Sequence, residues 1–472
     1  SLYDKASKGD MSAKKLFLAG CKLIGLLEED LETYKLKSGD VLMTEGGDWD
    51  KLGRAAIWQE EIINCIHQNH VYRVRSADKT MLLPKWLVLF ANSPQGRTFF
   101  ENASKQTTNL ASINMTQLRG CPLPLPPTNE QHRIVAKVDE LMALCDQLEE
   151  EQENNLETHE TLVSTFLNAL TSSTADASQF ADAWQRIEDN FDILFTTESS
   201  VDQLKQTILQ LAVMGKLVEQ DPEEKSSSVV LSSGARLPDG HVRRRKILKR
   251  TANPEKLYSP PNLPQSWEFV EIQKLYDLNL IIDYADGNHG SLYPRKADFG
   301  STGVTFVTAK DIKEGKILWE SCSKLNEKQA LQLSKGWAEG GDVLLTHNAT
   351  VGRVALVETN AGKFLLGTSV TYYRLNVEFI SPSFIYFVFC SPIWQHQLQA
   401  VMRQTTRNQV SIQKQAFFQI PLPPLNEQHR IVAKVDELMV LCDQLKANLE
   451  LAQKAQLNLA DSLVEQAIQS PA

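Results

Sequence analysis

No apolar run in this sequence approaches the roughly 18 residues that a membrane-spanning helix requires. Its seven cysteines are scattered, odd in number and free of any CxxC pair. That pattern excludes CxxC zinc sites and fits a reducing cytosol better than a disulfide-built fold. The opening residues are polar, so no secretory leader is expected there. There is no GxxxxGK[ST] phosphate loop, no Gly-rich dinucleotide fingerprint after a strand and no HExxH. An Asn-Pro-Pro-aromatic stretch, of the sort base-methylating enzymes use, is also missing. His67 and His70 have metal-like spacing but no third ligand, and they read as a strand-edge pair. Asp283, Glu314 and Lys316 only imitate a nuclease's acidic set, a triplet that polar sequence supplies freely. No catalytic class is supported.

What the chain does contain, it contains twice. Residues 124–148 read PLPPTNEQHRIVAKVDELMALCDQL, and residues 421–445 read PLPPLNEQHRIVAKVDELMVLCDQL. Only Thr128 against Leu425 and Ala143 against Val440 differ. A copy this far away is a duplication, not a solenoid repeat. In each copy two prolines stop what precedes, and Asn129 or Asn426 is placed to cap a helix. Glu130 or Glu427 follows in the first turn, where the helix dipole favours an anion. Ile134, Val138, Leu141, Cys145 and Leu148 then recur at heptad spacing, as do Ile431, Val435, Leu438, Cys442 and Leu445. The spacing predicts two long helices, each with one apolar stripe. The simplest partner for one stripe is the other; packing of each on its own domain is the alternative.

Charge is unevenly spread. Residues 129–225 carry 6 Lys and Arg against 21 Asp and Glu, whereas residues 241–425 carry 22 against 15. Acid gathers on the helical connector, and the stretch from the basic run through the second globular block leans basic. Local potential governs association with a polyanion, so the overall charge of −9 excludes nothing. The run HVRRRKILKR (241–250) is either a solvated tether or a non-specific phosphate contact.

Residues 1–128 form a first block, with strands expected at 37–45, 53–58, 70–76 and 121–125 and a helix over 83–103. Residues 129–222 are the first repeat helix with a helical connector, and 223–262 read as a polar linker. Residues 263–425 form a second block and 426–472 the second repeat helix. The blocks share GDVLMT with GDVLLT, Gly53-Arg54 with Gly352-Arg353, YRV (72–74) with YRL (373–375), the QTT of 106–108 with that of 404–406, and Ser112-Ile113 with Ser411-Ile412, in one order.

This order, with LPQSWEFV before the second block, FVTAKDI within it and ILQLAVMGKLVEQDP at 208–222, resembles the specificity subunit of type I restriction-modification enzymes. The resemblance covers nearly the whole chain. It implies an α+β protein: two α/β globular target recognition domains joined by two long antiparallel coiled-coil helices in a pseudo-two-fold, circular arrangement. Each globule would read one half of a split DNA site, with the helices as spacer. Two adenine methyltransferase subunits and a motor-nuclease subunit would dock. S-adenosylmethionine, ATP and Mg would belong to those partners and none to this non-catalytic chain. The location implied is the bacterial or archaeal cytoplasm. Block one departs from the pattern: it lacks the LPxxW opening, so its recognition domain is expected to be incomplete at its N-terminal side.

DNA reading needs Arg or Lys for guanine edges, Asn or Gln for adenine edges, and hydroxyls and amides for phosphates. Arg403, Gln404, Thr405, Thr406, Arg407, Asn408 and Gln409 supply all of these within one loop, and Lys105, Gln106, Thr107, Thr108 and Asn109 form its counterpart. A polar helix-to-strand turn is the bland alternative; recurrence at the same place favours DNA contact. Further candidates are His347, Asn348, Thr350 and Arg353 with the matching Trp49, Lys51 and Arg54, then Lys310, and more weakly Tyr284 and His289. A second reading, a two-headed coiled-coil adaptor without DNA specificity, suits the acidic connector but leaves the recurrent Arg/Gln/Thr loops unexplained.

Overall fold

A computed structural model describes residues 24–25, 28–47, 51–68, 70–106, 111–172, 177–239, 241, 262–288, 290, 293–404 and 408–469. The chain divides into two units, Ser1–Leu156 and Glu157–Ala472. The boundary falls inside the first repeat helix.

The first unit runs α1 (Glu28–Tyr34), β1 (Asp40–Thr44), β2 (Gly46–Gly47), β3 (Ala55–Trp58), β4 (Val71–Val74), α2 (Pro84–Asn92), α3 (Pro94–Ala103), β5 (Lys105–Gln106), β6 (Ala111–Ser112), α4 (Met115–Arg119) and the start of α5 (Thr128–Thr171). β1 is central, antiparallel to β3 on one side and β4 on the other. Its Val41, Leu42 and Met43 are all buried, because both faces are covered. The one helix expected over 83–103 is two. Pro94 breaks it, since proline disfavours helical backbone before it and removes a donor. Ser93 caps α3 by accepting the Gly96 amide at 3.2 Å.

The second unit takes the rest of α5, then α6 (Ala177–Asp189), α7 (Phe191–Leu194), α8 (Glu198–Val213) and α9 (Ser227–Ser233). Its globule contains β7 (Glu268–Glu271), α10 (Ile272–Asp277), β8 (Ile281–Asp286), β9 (Phe299–Gly300), β10 (Val304–Val307), β11 (Ile312–Lys313), β12 (Lys316–Ile317), β13 (Ser323–Leu325), α11 (Glu327–Gln332), β14 (Trp337–Ala338), β15 (Val343–Asn348), β16 (Thr350–Leu356), β17 (Phe364–Leu366) and β18 (Val370–Leu375). α12 (Pro382–Cys390), α13 (Pro392–Val401), β19 (Arg403–Gln404), β20 (Asn408–Gln409), α14 (Ile412–Gln415), β21 (Gln419–Leu422) and α15 (Leu425–Gln469) complete it. The main sheet has the order β19-β20-β15-β18-β8, with β16 also on β15. A second sheet, β14-β17-β10-β13-β9, is built from strands that fall in sequence between β8 and β18.

The connector is not a separate rod. Val163 and Leu167 of α5, and Val201, Ile208 and Leu211 of α8, share one core with Trp267, Phe384, Phe389, Trp394 and Ile431. The stretch read as linker contains α9, whose Ser227 amide donates to Ser266 O at 3.0 Å. Of the basic run, 242–250 lies outside the described residues.

The second heptad stripe is occupied. Ile431, Val435 and Cys442 are buried, and Leu438 and Leu445 pack against the same core. The partner within this unit is α8, whose Val201, Leu204, Ile208 and Leu211 present a matching stripe. Lys446 reaches Asp202 at 2.9 Å and Lys205 pairs with Asp443. Numbers rise along one helix as they fall along the other, so α8 and α15 run antiparallel. In the first copy Ile134 and Val138 are half-buried, while Leu141, Cys145 and Leu148 are exposed. The expected asparagine caps are also displaced. α5 begins at Thr128 and α15 at Leu425, so Asn129 and Asn426 sit in the first turn.

Two buried contacts recur in both units. Asp40, 1% exposed, accepts from Arg75 Nε at 2.5 Å and Nη2 at 2.6 Å. Asp342, also 1% exposed, accepts from Arg374 Nε at 2.9 Å and Nη2 at 2.8 Å. Strand register makes Arg75, not Arg73, the equivalent of Arg374: Val41 faces Val74 as Val343 faces Tyr373. The YRV–YRL match is therefore two residues out. Burial raises both carboxyls. At Asp40 the hydrogen bonds from Arg75 and the Lys37 amide outweigh it, and the carboxyl is held below its usual range. At Asp342 burial prevails over Arg374, which also serves Glu339 at 3.1 Å.

The second contact is the glutamine of the repeat. Gln131 and Gln428 are fully buried. Gln131 Oε1 accepts the Leu83 amide at 3.0 Å, and Nε2 donates to Met81 and Pro126 carbonyls, each at 2.9 Å. Gln428 Oε1 accepts the Ser381 amide at 2.8 Å, and Nε2 donates to Phe379 O at 3.3 Å and Pro423 O at 3.0 Å. One side chain thus ties the start of each repeat helix to the start of α2 or α12.

The expected strand at 121–125 is absent. At the matching place β21 pairs with β7, Pro421 opposite Phe269. Among the described residues the first unit has no counterpart of β7. Its Pro124 carbonyl instead accepts the Trp86 indole N–H at 2.8 Å.

Arg374→Met should cost the second unit about 3–5 kcal/mol at neutral pH, because it strands a buried carboxylate. A carboxyl with a raised folded pKa penalises the fold at high pH and loses that penalty as pH falls through the folded value. The deficit in urea unfolding should therefore shrink on acidification; a pH-independent deficit would contradict it. Gln428→Ala, leaving an amide and two carbonyls without this partner, should cost about 1–3 kcal/mol by the same assay.

Candidate nucleic-acid interface

The two loops singled out in the second block meet. β15 pairs with β18 only as far as Thr346, opposite Val370. The His347 amide still donates to Ser369 O at 2.9 Å, but beyond it the strand has no partner from β18, and buried peptide groups must be paired. The hairpin β19–β20 fills the place: Asn348 faces Gln409, and the Val410 amide donates to His347 O at 2.9 Å. Within the hairpin Arg403 faces Gln409 and Gln404 faces Asn408.

On its other side β15 turns into β16 through a single residue, Ala349, with Asn348 opposite Thr350. Ala349 has φ +63°, a left-handed conformation unusual for a residue with a Cβ. Its amide donates to Asn408 O at 3.0 Å, so the turn is fastened to the hairpin. Gly352 has φ +95°, and a Cβ there would lie 2.5 Å from Gln395 Oε1. The Gln395 amide group holds the Gly352 carbonyl at 3.0 Å.

Asn348 and Thr350 are half-buried, and Asn408, Gln409, Arg353 and Lys310 are exposed. Arg353 Nη1 donates to Ile312 O at 3.3 Å, which sets it beside the 3₁₀ turn (Ala309–Asp311) that carries Lys310. Two cations, three amides and a hydroxyl thus border one strand end. Such a set can accept phosphates and read base edges.

His347 does not belong to that surface. It is 2% exposed, with Nδ1 2.9 Å from Thr371 Oγ1. It faces inward because β15 is covered there and its side chain has polar partners inside. Tyr284 is likewise a core residue, stacked on Tyr373 at 5.7 Å. Thr405, Thr406, Arg407 and His289 lie outside the described residues.

The first unit repeats the junction. β2 continues β1, Gly46 faces Ser112, and β5–β6 pair as Lys105 with Ser112 and Gln106 with Ala111. The Ile113 amide donates to Glu45 O at 2.9 Å, as Val410 does to His347 O. Ile113 therefore corresponds to Val410, and Asn114 to Ser411, a two-residue shift from the match made on Ser-Ile pairs. Gly53 recurs at φ +63°, where a Cβ would meet the Phe100 ring at 2.3 Å. Lys51 is exposed and Arg54 half-buried. Trp49, Thr107, Thr108 and Asn109 lie outside the described residues. What sequence reading missed is the scaffold: Asp342, Arg374, Gln395 and Gln428. Their only signal was recurrence, Asp342 in GDVL and Gln428 in NEQ.

A family model for the type I restriction modification DNA specificity domain matches residues 6–158 and 287–452. The chain is 31% identical over 409 residues to the type I restriction enzyme EcoEI specificity subunit of Escherichia coli, covering 84% of this chain and 66% of that protein. It is 31% identical over 396 residues to the EcoAI specificity subunit of the same species, covering 81% of this chain and 64% of that protein. It thus spans about two thirds of the length of these curated relatives. A solved chain, from work on complex assembly and conformational transition of the type I R-M system, superposes with a TM-score of 0.52 at 17% identity, over 92% of this chain and 82% of that one, and so shares the fold. With its interface junction built twice and the family model matching over both copies, this chain belongs to the type I restriction-modification DNA specificity family.

Proposed function

We propose that the chain is a non-catalytic, sequence-specific DNA-binding subunit that recognises a bipartite target. Each globule reads one half-site with its hairpin and the adjoining turn. The observation that carries this reading is the repeated junction: a hairpin fastened to the end of a central strand at the same place in both units, with Arg353 on the strand alongside or its register equivalent Arg54 immediately before it. In the second unit Lys310, Asn348, Thr350, Arg353, Asn408 and Gln409 form the surface, with Arg403, Gln404, Thr405, Thr406 and Arg407 contributed by the hairpin. In the first, Lys51, Arg54, Lys105 and Gln106 do so, with Trp49, Thr107, Thr108 and Asn109.

Phosphate contacts fix register, and the exposed amides and guanidinium specify bases. The repeat helices act as spacer and as docking sites for two methyltransferase subunits and the motor-nuclease. The acidic connector suits protein partners rather than DNA. Base flipping and methyl transfer would occur in the partner, with S-adenosylmethionine held there.

The deciding experiment is methylome sequencing of cells carrying this chain with its methyltransferase, against cells lacking the chain. A split, adenine-methylated motif should appear only in the first. Arg353→Ala should relax one half of it by roughly 1–3 kcal/mol of discrimination, leaving the other half intact; equal loss at both halves would contradict the assignment. Inserting one turn into α5, about four residues at 1.5 Å each, should change the gap between half-sites. An unchanged gap would remove the helices from the spacer role.

A further inference from the structure

We propose that His347 and Thr371 are positioning residues that set the recognition hairpin of the second unit from inside the sheet. The inference rests on the reading of that hairpin as a DNA-reading element. His347 is the residue at which β15 changes partners. Its amide donates to Ser369 O at 2.9 Å, beside β18, and its carbonyl accepts from Val410 at 2.9 Å, at the end of β20. Any shift of this residue moves the hairpin's point of attachment.

Its side chain is held by a relay. Thr371 Oγ1 lies 2.9 Å from His347 Nδ1 and 2.9 Å from Asp286 Oδ1. A threonine hydroxyl has one hydrogen, and a carboxylate only accepts. The hydroxyl therefore donates to Asp286, and its oxygen accepts from Nδ1–H of His347. The relay thus fixes both ring orientation and tautomer. His347 Nε2 then faces the same Asp286 oxygen at 3.8 Å. An imidazole buried this deeply is costly unless bonded, so the ring, and with it the strand end, has one favoured position.

A residue serving only to fill the core would be apolar in both units. Instead the first unit also places a polar contact at its junction, with different chemistry. Glu45 holds the register position of His347: its amide donates to His70 O at 3.1 Å and its carbonyl accepts from Ile113. Its Oε2 lies 2.7 Å from His70 Nδ1. Tyr72, at the register position of Thr371, donates to Ile113 O at 2.7 Å, at the residue that directly follows β6. In both units a side-chain polar contact thus adjoins the attachment, buried in the second and exposed at Glu45–His70 in the first.

The test uses the full chain with its methyltransferase and duplexes carrying the methylome-derived motif, single-base variants of each half-site, or unrelated sequence. Thr371→Val removes the hydroxyl at nearly constant shape; Thr371→Ser restores it; His347→Asn keeps a donor at the Nδ1 position. Thr371→Val is expected to lower the preference for the correct half-site about tenfold, at the second unit's half only, while affinity for unrelated duplex stays within about twofold. Thr371→Ser should return the preference to near wild type, and His347→Asn should fall between. Wild-type preference in Thr371→Val would overturn the proposal. So would a parallel fall in specific and non-specific affinity, or a serine variant no better than valine. A wild-type complex with no sequence preference at all would overturn the DNA reading itself, and this inference with it.

Discussion

The second globule depends on how one strand end is satisfied. β15 outlasts β18 by two residues, and the peptide groups beyond Thr346 need partners. The hairpin β19–β20 supplies them, so it is attached to the strand end through backbone hydrogen bonds. In the first unit β2 outlasts β4 in the same way and β5–β6 answers it. Attachment through a backbone ladder does not itself depend on which side chains the hairpin carries.

Beneath that ladder the two units keep a common skeleton and diverge around it. The buried aspartate–arginine pair and the glutamine under the repeat helix recur almost atom for atom. Both satisfy groups that would otherwise be stranded in the interior, and replacing either partner alone is costly. Where the surroundings differ, the same pair behaves differently. Burial of Asp342 outweighs Arg374, which Glu339 also shares, and its carboxyl rises where that of Asp40 falls. The strand pair β7–β21 has no described equivalent in the first unit, and the corresponding proline-rich segment there lies without a ladder.

Helix α15 illustrates a choice that periodicity cannot make. Its stripe of Ile431, Val435, Leu438, Cys442 and Leu445 is a heptad seam, and a seam specifies only that something apolar covers it. α8 covers it here, with Lys205, Asp443, Lys446 and Asp202 setting the antiparallel register at its rim. Exposed rim pairs of this kind contribute little stability and serve mainly as register marks.

The sequence by itself determined the duplication, the two long helices, the order of the strands and the polar segments at which the candidate surface lies. Each of these is written in local pattern: repetition, heptad spacing, apolar runs and turn residues. Only the tertiary structure decided that His347 points inward while Arg353 points out, although both stand on the same strand pair with similar polarity. It alone showed that Arg75 answers Arg374, that Ile113 answers Val410, and that the polar loops are hairpins rather than coil. The reason is that register and burial depend on which strand lies alongside, and that neighbour is supplied by residues distant in the chain. Asp40 needs Arg75, and His347 needs Thr371 and Asp286, contacts that no local pattern encodes.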